Sequence, residues 1–141
     1  MNRYHSLLCA INLSEGSQTV VEAAAQLASR ENIHLLHVCE HPITGYGESI
    51  GSNHRVTEAQ IKQHAFPQLS ALAELASIDA GNTEILFGEP VEMIRQAANH
   101  HRCDLIVIGS HGRQGLQRLL GSTASSMLHG TPCDVLTIHL Q

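Results

Sequence analysis

Short uninterrupted apolar runs alternate along this chain with longer stretches in which apolar residues return every three or four positions. An apolar run between polar turns marks a strand covered on both faces, and the wider spacing marks a helix with one buried stripe. Leu7-Leu8-Cys9-Ala10-Ile11 is the first run. The polar turn 12–17 follows, with a serine placed to cap a helix over residues 18–30. The stripe of that helix is Val20, Val21, Ala24, Leu27 and Ala28. Residues 33–38 form the second strand. Residues 41–54 are rich in glycine and polar side chains and have no period, so they read as a long surface loop of the kind that often carries a binding element. A second helix spans 56–78 on Ile61, Ala65, Leu69, Leu72, Leu75 and Ala76, with Pro67 inside it to kink or restart it.

The third strand is 82–87. Gly88-Glu89-Pro90 turns into a third helix, with proline in its first turn and Val91, Ile94, Ala97 and Ala98 on its buried face. Residues 104–108 make the fourth strand, and a glycine-rich loop leads to a short helical segment over 124–129. Gly130-Thr131-Pro132 ends that segment, and strand 134–140 closes the chain. Four strand–helix units and a last strand predict one α/β domain over residues 1–141. Its core is a doubly wound, Rossmann-like parallel sheet of five strands with helices on both faces.

The length of 141 residues suits one core, and 43% hydrophobic residues spread along the chain argue against disorder. A net charge of −5 argues against nucleic acid as the main partner, which calls for a basic face. No apolar run approaches the roughly 18 residues that span a membrane. The N-terminus lacks the apolar region and cleavage site of a signal peptide, so a cytoplasmic location is expected. Cys9, Cys39, Cys103 and Cys133 form no CxxC pair and read as small buried hydrophobes in a reducing compartment.

The chemistry concentrates in residues 109–123. Gly109-Ser110-His111-Gly112-Arg113-Gln114-Gly115 follows the apolar run Leu105-Ile106-Val107-Ile108, and Gly121-Ser122-Thr123 opens the last helical segment. Strand, glycine-rich loop and helix N-terminus together form a setting in which main-chain N–H groups hold a phosphate. Missing side chains let an anion approach the backbone. Arg113 and Arg118 can add positive charge, and Ser122 and Thr123 can donate hydroxyls.

This segment resembles the signature of the universal stress protein family, of the type that binds ATP: glycine, two residues, glycine, nine residues, glycine, then serine or threonine. Gly109, Gly112, Gly121 and Ser122 match it, with eight residues between Gly112 and Gly121. The resemblance covers nearly the entire chain and implies the strand order 3-2-1-4-5. That order reverses between strands 1 and 4, where such sheets take their ligands at the carboxyl ends. It also implies a binding module rather than an enzyme, with ATP, with or without magnesium, as ligand. Gly109, Gly112, Gly121, Ser122 and Thr123 would contact the phosphates, with His111 and Arg113 beside them. Ala10 and Ile11 would line the pocket floor, and the backbone at Val38 would read the adenine edge. Asn12 stands where ATP-binding members carry aspartate; it can bond a ribose hydroxyl but offers no charge to a magnesium ion. The resemblance further implies a homodimer through the apolar edge strand 134–140.

Eleven histidines are many for this length. His37 and His41 have HxxxH spacing, but on a strand and loop rather than a helix face, so no metal site is expected. His100 and His101 end a helix, where a protonated imidazole is favourable. There is no GxxxxGK[ST] motif. Two other readings stand beside the nucleotide module: a dimeric interaction protein of the same fold without a ligand, and a slow nucleotide hydrolase using His111.

Overall fold

The computed structural model describes residues 4–39, 57–111 and 130–140. Its strands are β1 (Leu7–Ala10), β2 (Ile33–Cys39), β3 (Thr83–Phe87), β4 (Leu105–His111) and β5 (Asp134–Leu140), and its helices α1 (Ser17–Ala25), α2 (Glu58–Leu75) and α3 (Pro90–His100). All strand pairs are parallel, in the order β3-β2-β1-β4-β5. The central strands are the most apolar because both their faces are covered. Leu7, Cys9, Ile33, Leu35, Leu105 and Val107 face α1 and α2, while Leu8, Leu36, Ile106 and Ile108 face α3. Each leucine or isoleucine buried this way contributes about 1.5–3 kcal/mol.

α3 buries the four residues its period names, Val91, Ile94, Ala97 and Ala98. Its start is fixed twice: Pro90 sits in the first turn, and the Glu89 carboxylate accepts from the N–H groups of Val91 and Glu92 at 3.3 and 2.9 Å. α2 opens with a capping box between Thr57 and Gln60 and runs uninterrupted through Pro67. Pro67 is exposed, so water can satisfy the carbonyl its ring leaves without a donor. Residues 41–54, Val56 and the helical segment 124–129 lie outside the described residues.

Several boundaries differ from the pattern: α2 ends at Leu75 rather than residue 78, and three larger differences concern α1 and β4. α1 ends at Ala25 rather than residue 30, although Ala28 is buried in the core and Leu27 packs against it. Burial thus keeps its period while the chain leaves the helix through a turn that reaches β2 by a single 3-10 turn at Arg30–Asn32. Arg30 holds that exit by donating from Nε to the Ala76 carbonyl at 2.7 Å. No serine side chain caps α1; Gly16 is the cap residue. β4 continues three residues past Ile108, because Gly109, Ser110 and His111 pair with Ile138, His139 and Leu140 of β5.

Gly16 and Gly109 share one neighbour. A Cβ on Gly16 would come within 2.5 Å of Leu140 Cδ1; one on Gly109 would meet the same atom at 3.0 Å and Val20 Cγ2 at 2.6 Å. Leu140, the last residue of β5, therefore occupies the space that both glycines leave open, which draws α1, β4 and β5 together at the carboxyl end of the sheet.

Candidate functional site

β1 is shorter than both its neighbours. Ala10, its last residue, pairs with Leu36 of β2 and Ile108 of β4. β2 runs on through His37, Val38 and Cys39, and β4 through Gly109, Ser110 and His111. The result is a step in the carboxyl edge of the sheet, where β1 ends about 10 Å short of both neighbours at ~3.3 Å per residue. It lies at the reversal of strand order, where open α/β sheets take ligands.

Ala10 and Ile11 are at its foot. Ile11 is buried, and its N–H donates to the Leu36 carbonyl at 2.9 Å. The chain then turns sharply. Leu13 adopts a left-handed conformation with φ of 61°, and the Ser14 N–H donates to Asn12 Oδ1 at 3.1 Å. The Ser17 N–H donates to the Ser14 carbonyl at 3.0 Å, and α1 begins there. Asn12 is exposed, its carbonyl oxygen engaged within its own turn and its amide N–H groups left as donors. Val38 lies on the longer β2, paired with Leu86. Gly109 is on β4, where its missing side chain admits Val20 and Leu140. His111 ends that strand. Ala10 and Val38 thus lie toward the α3 side of the sheet and Ile11 and Gly109 toward the α1 side, all at its carboxyl end near the exposed Asn12. Gly112, Arg113, Gly121, Ser122 and Thr123 lie outside the described residues.

One contributor to this architecture is missing from the expected set. His37 Nδ1 lies 2.9 Å from the Ile11 carbonyl oxygen. A carbonyl can only accept, so Nδ1 carries the proton and donates. The HxxxH spacing of His37 and His41 does not point to this contact; the signal that identifies His37 is its place one residue past the register partner of Ala10.

At the opposite end of the strands a second cluster forms. His34 of β2 stacks on His101, whose Nε2 lies 3.4 Å from Glu84 Oε1 of β3, and His100 meets His101 edge-on. Burial, and secondarily the charge of His101, hold His34 below its ordinary value of 6.5, against the pull of Glu84. Among the described residues no three histidine, cysteine or acidic side chains are arranged to hold a metal ion, and no helix is long and apolar enough to cross a membrane.

Solved proteins share this architecture. A universal stress protein solved in complex with cAMP superposes with a TM-score of 0.65 at 22% identity, over 96% of this chain and 97% of the other. The universal stress protein from Archaeoglobus fulgidus in complex with dAMP gives a TM-score of 0.61 at 21% identity, over 96% and 98%. At such identities the likeness is one of fold. Universal stress protein A homolog 1 of Coxiella burnetii is 35% identical over 141 residues, 98% of each chain. The model of the universal stress protein family matches residues 3–139. With that match across almost its full length, the chain belongs to the universal stress protein family.

Proposed function

We propose that this protein is a homodimeric stress-response module that binds an adenine nucleotide, ATP foremost, at the carboxyl end of β1. The observation that carries the reading is the early end of β1 between two longer strands at the reversal of strand order, on the carboxyl edge of the sheet to which Ala10, Ile11, Asn12, Val38 and Gly109 belong. Two proteins of the same fold, solved with cAMP and with dAMP, support the base and the class of ligand. In support, the carboxyl edge at the end of β1 carries the buried apolar Ile11 and the exposed Asn12, whose amide N–H groups can donate to a ligand. Gly112, Arg113, Gly121, Ser122 and Thr123 would close the phosphate end. The protein acts by binding rather than by turnover, and it works in the cytoplasm. Partner affinity would then follow nucleotide occupancy.

The dimer would form through β5. That strand is at an edge of the sheet, and Leu136 on it is 37% exposed. Calorimetric titration with ATP, AMP and GTP, with and without magnesium, tests the ligand, and mass spectrometry of the denatured purified protein tests whether nucleotide is carried along. Adenine nucleotides binding more tightly than GTP is the expected result; no binding of any of them overturns the reading.

A further inference from the structure

The turn that ends β1 is held from two sides by side chains. His37 donates from Nδ1 to the Ile11 carbonyl at 2.9 Å, across from the strand it belongs to. Immediately afterwards Asn12 accepts the Ser14 N–H at 3.1 Å, and Leu13 sits at φ of 61°. A leucine rarely adopts that conformation alone, so its surroundings must impose it. The His37 bond sets the peptide plane between Ile11 and Asn12, and that plane sets where the Asn12 side chain starts. The Ser14 bond then fixes which face of the amide is turned inward. What remains outward is the NH2 group, a neutral donor with no acceptor role.

We propose that His37 is a positioning residue of the nucleotide site: its Nδ1–H anchors the Ile11 carbonyl so that Asn12 presents its amide N–H groups to the ligand's oxygens. The proposal rests on the nucleotide reading above and adds two things to it. It assigns a role to a histidine outside the expected set, and it makes Asn12 a donor to an anionic ligand rather than a ligand for a cation. A carboxylate at position 12 could keep the same turn, since it accepts the Ser14 N–H equally well. It would, however, face the phosphates or ribose oxygens with a negative acceptor.

The test compares four variants with wild type by calorimetry, titrating ATP in buffer containing EDTA so that no cation bridges. Asparagine carries its amide nitrogen where histidine carries Nδ1, and glutamine carries it one atom further out. His37→Asn should therefore bind within about twofold of wild type. His37→Gln and His37→Leu should each bind at least about tenfold more weakly. Asn12→Asp should also fall at least about tenfold in EDTA. The affinity gap between His37→Asn and His37→Gln should persist at temperatures where both are fully folded, whereas a purely structural role would lower the midpoint and leave the affinity of the folded protein unchanged. Equal affinity of His37→Asn and His37→Gln overturns the proposal, as does an Asn12→Asp variant that binds metal-free ATP as well as wild type. A wild-type protein that takes up no nucleotide overturns the functional reading itself, and the wild-type titration separates that failure from the others.

Discussion

The imidazole of His34 lies almost flat on that of His101, with ring centroids 4.0 Å apart and planes 13° from parallel. The contact joins β2 to the C-terminal cap of α3 on the face of the sheet that α3 covers. His100 and His101 come from α3 and its cap, Glu84 reaches in from β3, and Leu8 of β1 is the register partner of His34. Burial first, and the charge of His101 second, oppose a proton on His34, while Glu84 favours it.

Stability should accordingly depend on acidity. The folded chain protonates His34 at lower pH than the unfolded chain, whose value is the ordinary 6.5. Below that pH the unfolded state binds more protons, so its free energy drops relative to the folded state. The stabilising contribution is complete above pH 6.5 and is lost as pH falls through the depressed folded value. Urea midpoints should therefore decline between about pH 7 and about pH 5. His34→Phe keeps a flat ring and removes the titration. Its midpoint should vary less over that range, and an unchanged slope would assign the acid sensitivity elsewhere.

The interlock at Leu140 makes a second claim on stability. A methyl group on Gly109 would meet Val20 at 2.6 Å and Leu140 at 3.0 Å, both held between α1 and the sheet. Overpacking of this kind costs about 1–3 kcal/mol. Gly81 offers a control, because the nearest atom to an added Cβ there is 3.8 Å away. Gly109→Ala should lower the denaturation midpoint clearly and Gly81→Ala only slightly. Gly109 therefore meets a packing requirement whether or not a ligand is bound.

These cases show where the sequence is informative. The three inner strands β2, β1 and β4 are legible because burial on both faces makes them mostly apolar runs, and α3 is legible because its stripe of Val91, Ile94, Ala97 and Ala98 has one partner surface. The last three residues of β4 are not. Gly109, Ser110 and His111 look like loop, and only their ladder with Ile138, His139 and Leu140, far along the chain, makes them strand. The end of α1 is hidden by Leu27 and Ala28, which belong to the core without being helical. His37 escapes for a related reason. Its bond to Ile11 depends on the register of two strands, which spacing in one chain does not express.

Both α2 and α3 end in the same way. Ser77 and Arg102 adopt φ of 61° and 54°, and the next residues, Ile78 and Cys103, donate back to Ala73 and Ala98 at 2.7 and 2.8 Å. This is the reversal that glycine makes without strain. A side chain there costs about 1 kcal/mol, partly offset because glycine gains freedom in the unfolded chain. Ser77→Gly and Arg102→Gly should each stabilise by a net amount of about 0.5 kcal/mol. The two sites end helices packed on opposite faces of the sheet, so the double variant should show the sum. A loss of stability in either would mean that its side chain makes a compensating contact.

The cysteines should be chemically quiet in the native state. Burial pushes the Cys9 thiol up to about 12. Burial also raises Cys133 to about 11, helped by the neighbouring Cys103 and by Asp134 and Asp104. Cys39 and Cys103 are raised by burial as well. The thiolate is the reactive form, so a thiol held two or more units above the usual value reacts on the order of a hundredfold more slowly near neutral pH. Iodoacetamide at about pH 8 should modify all four within minutes in urea and none at that rate in the folded protein, with Cys9 the slowest. Mass spectrometry of peptides taken over time reads each site separately. Fast labelling of Cys103 or Cys133 in native protein would show that the amino ends of β4 and β5 open readily. Uniform protection would place those ends in the same cooperative unit as the core.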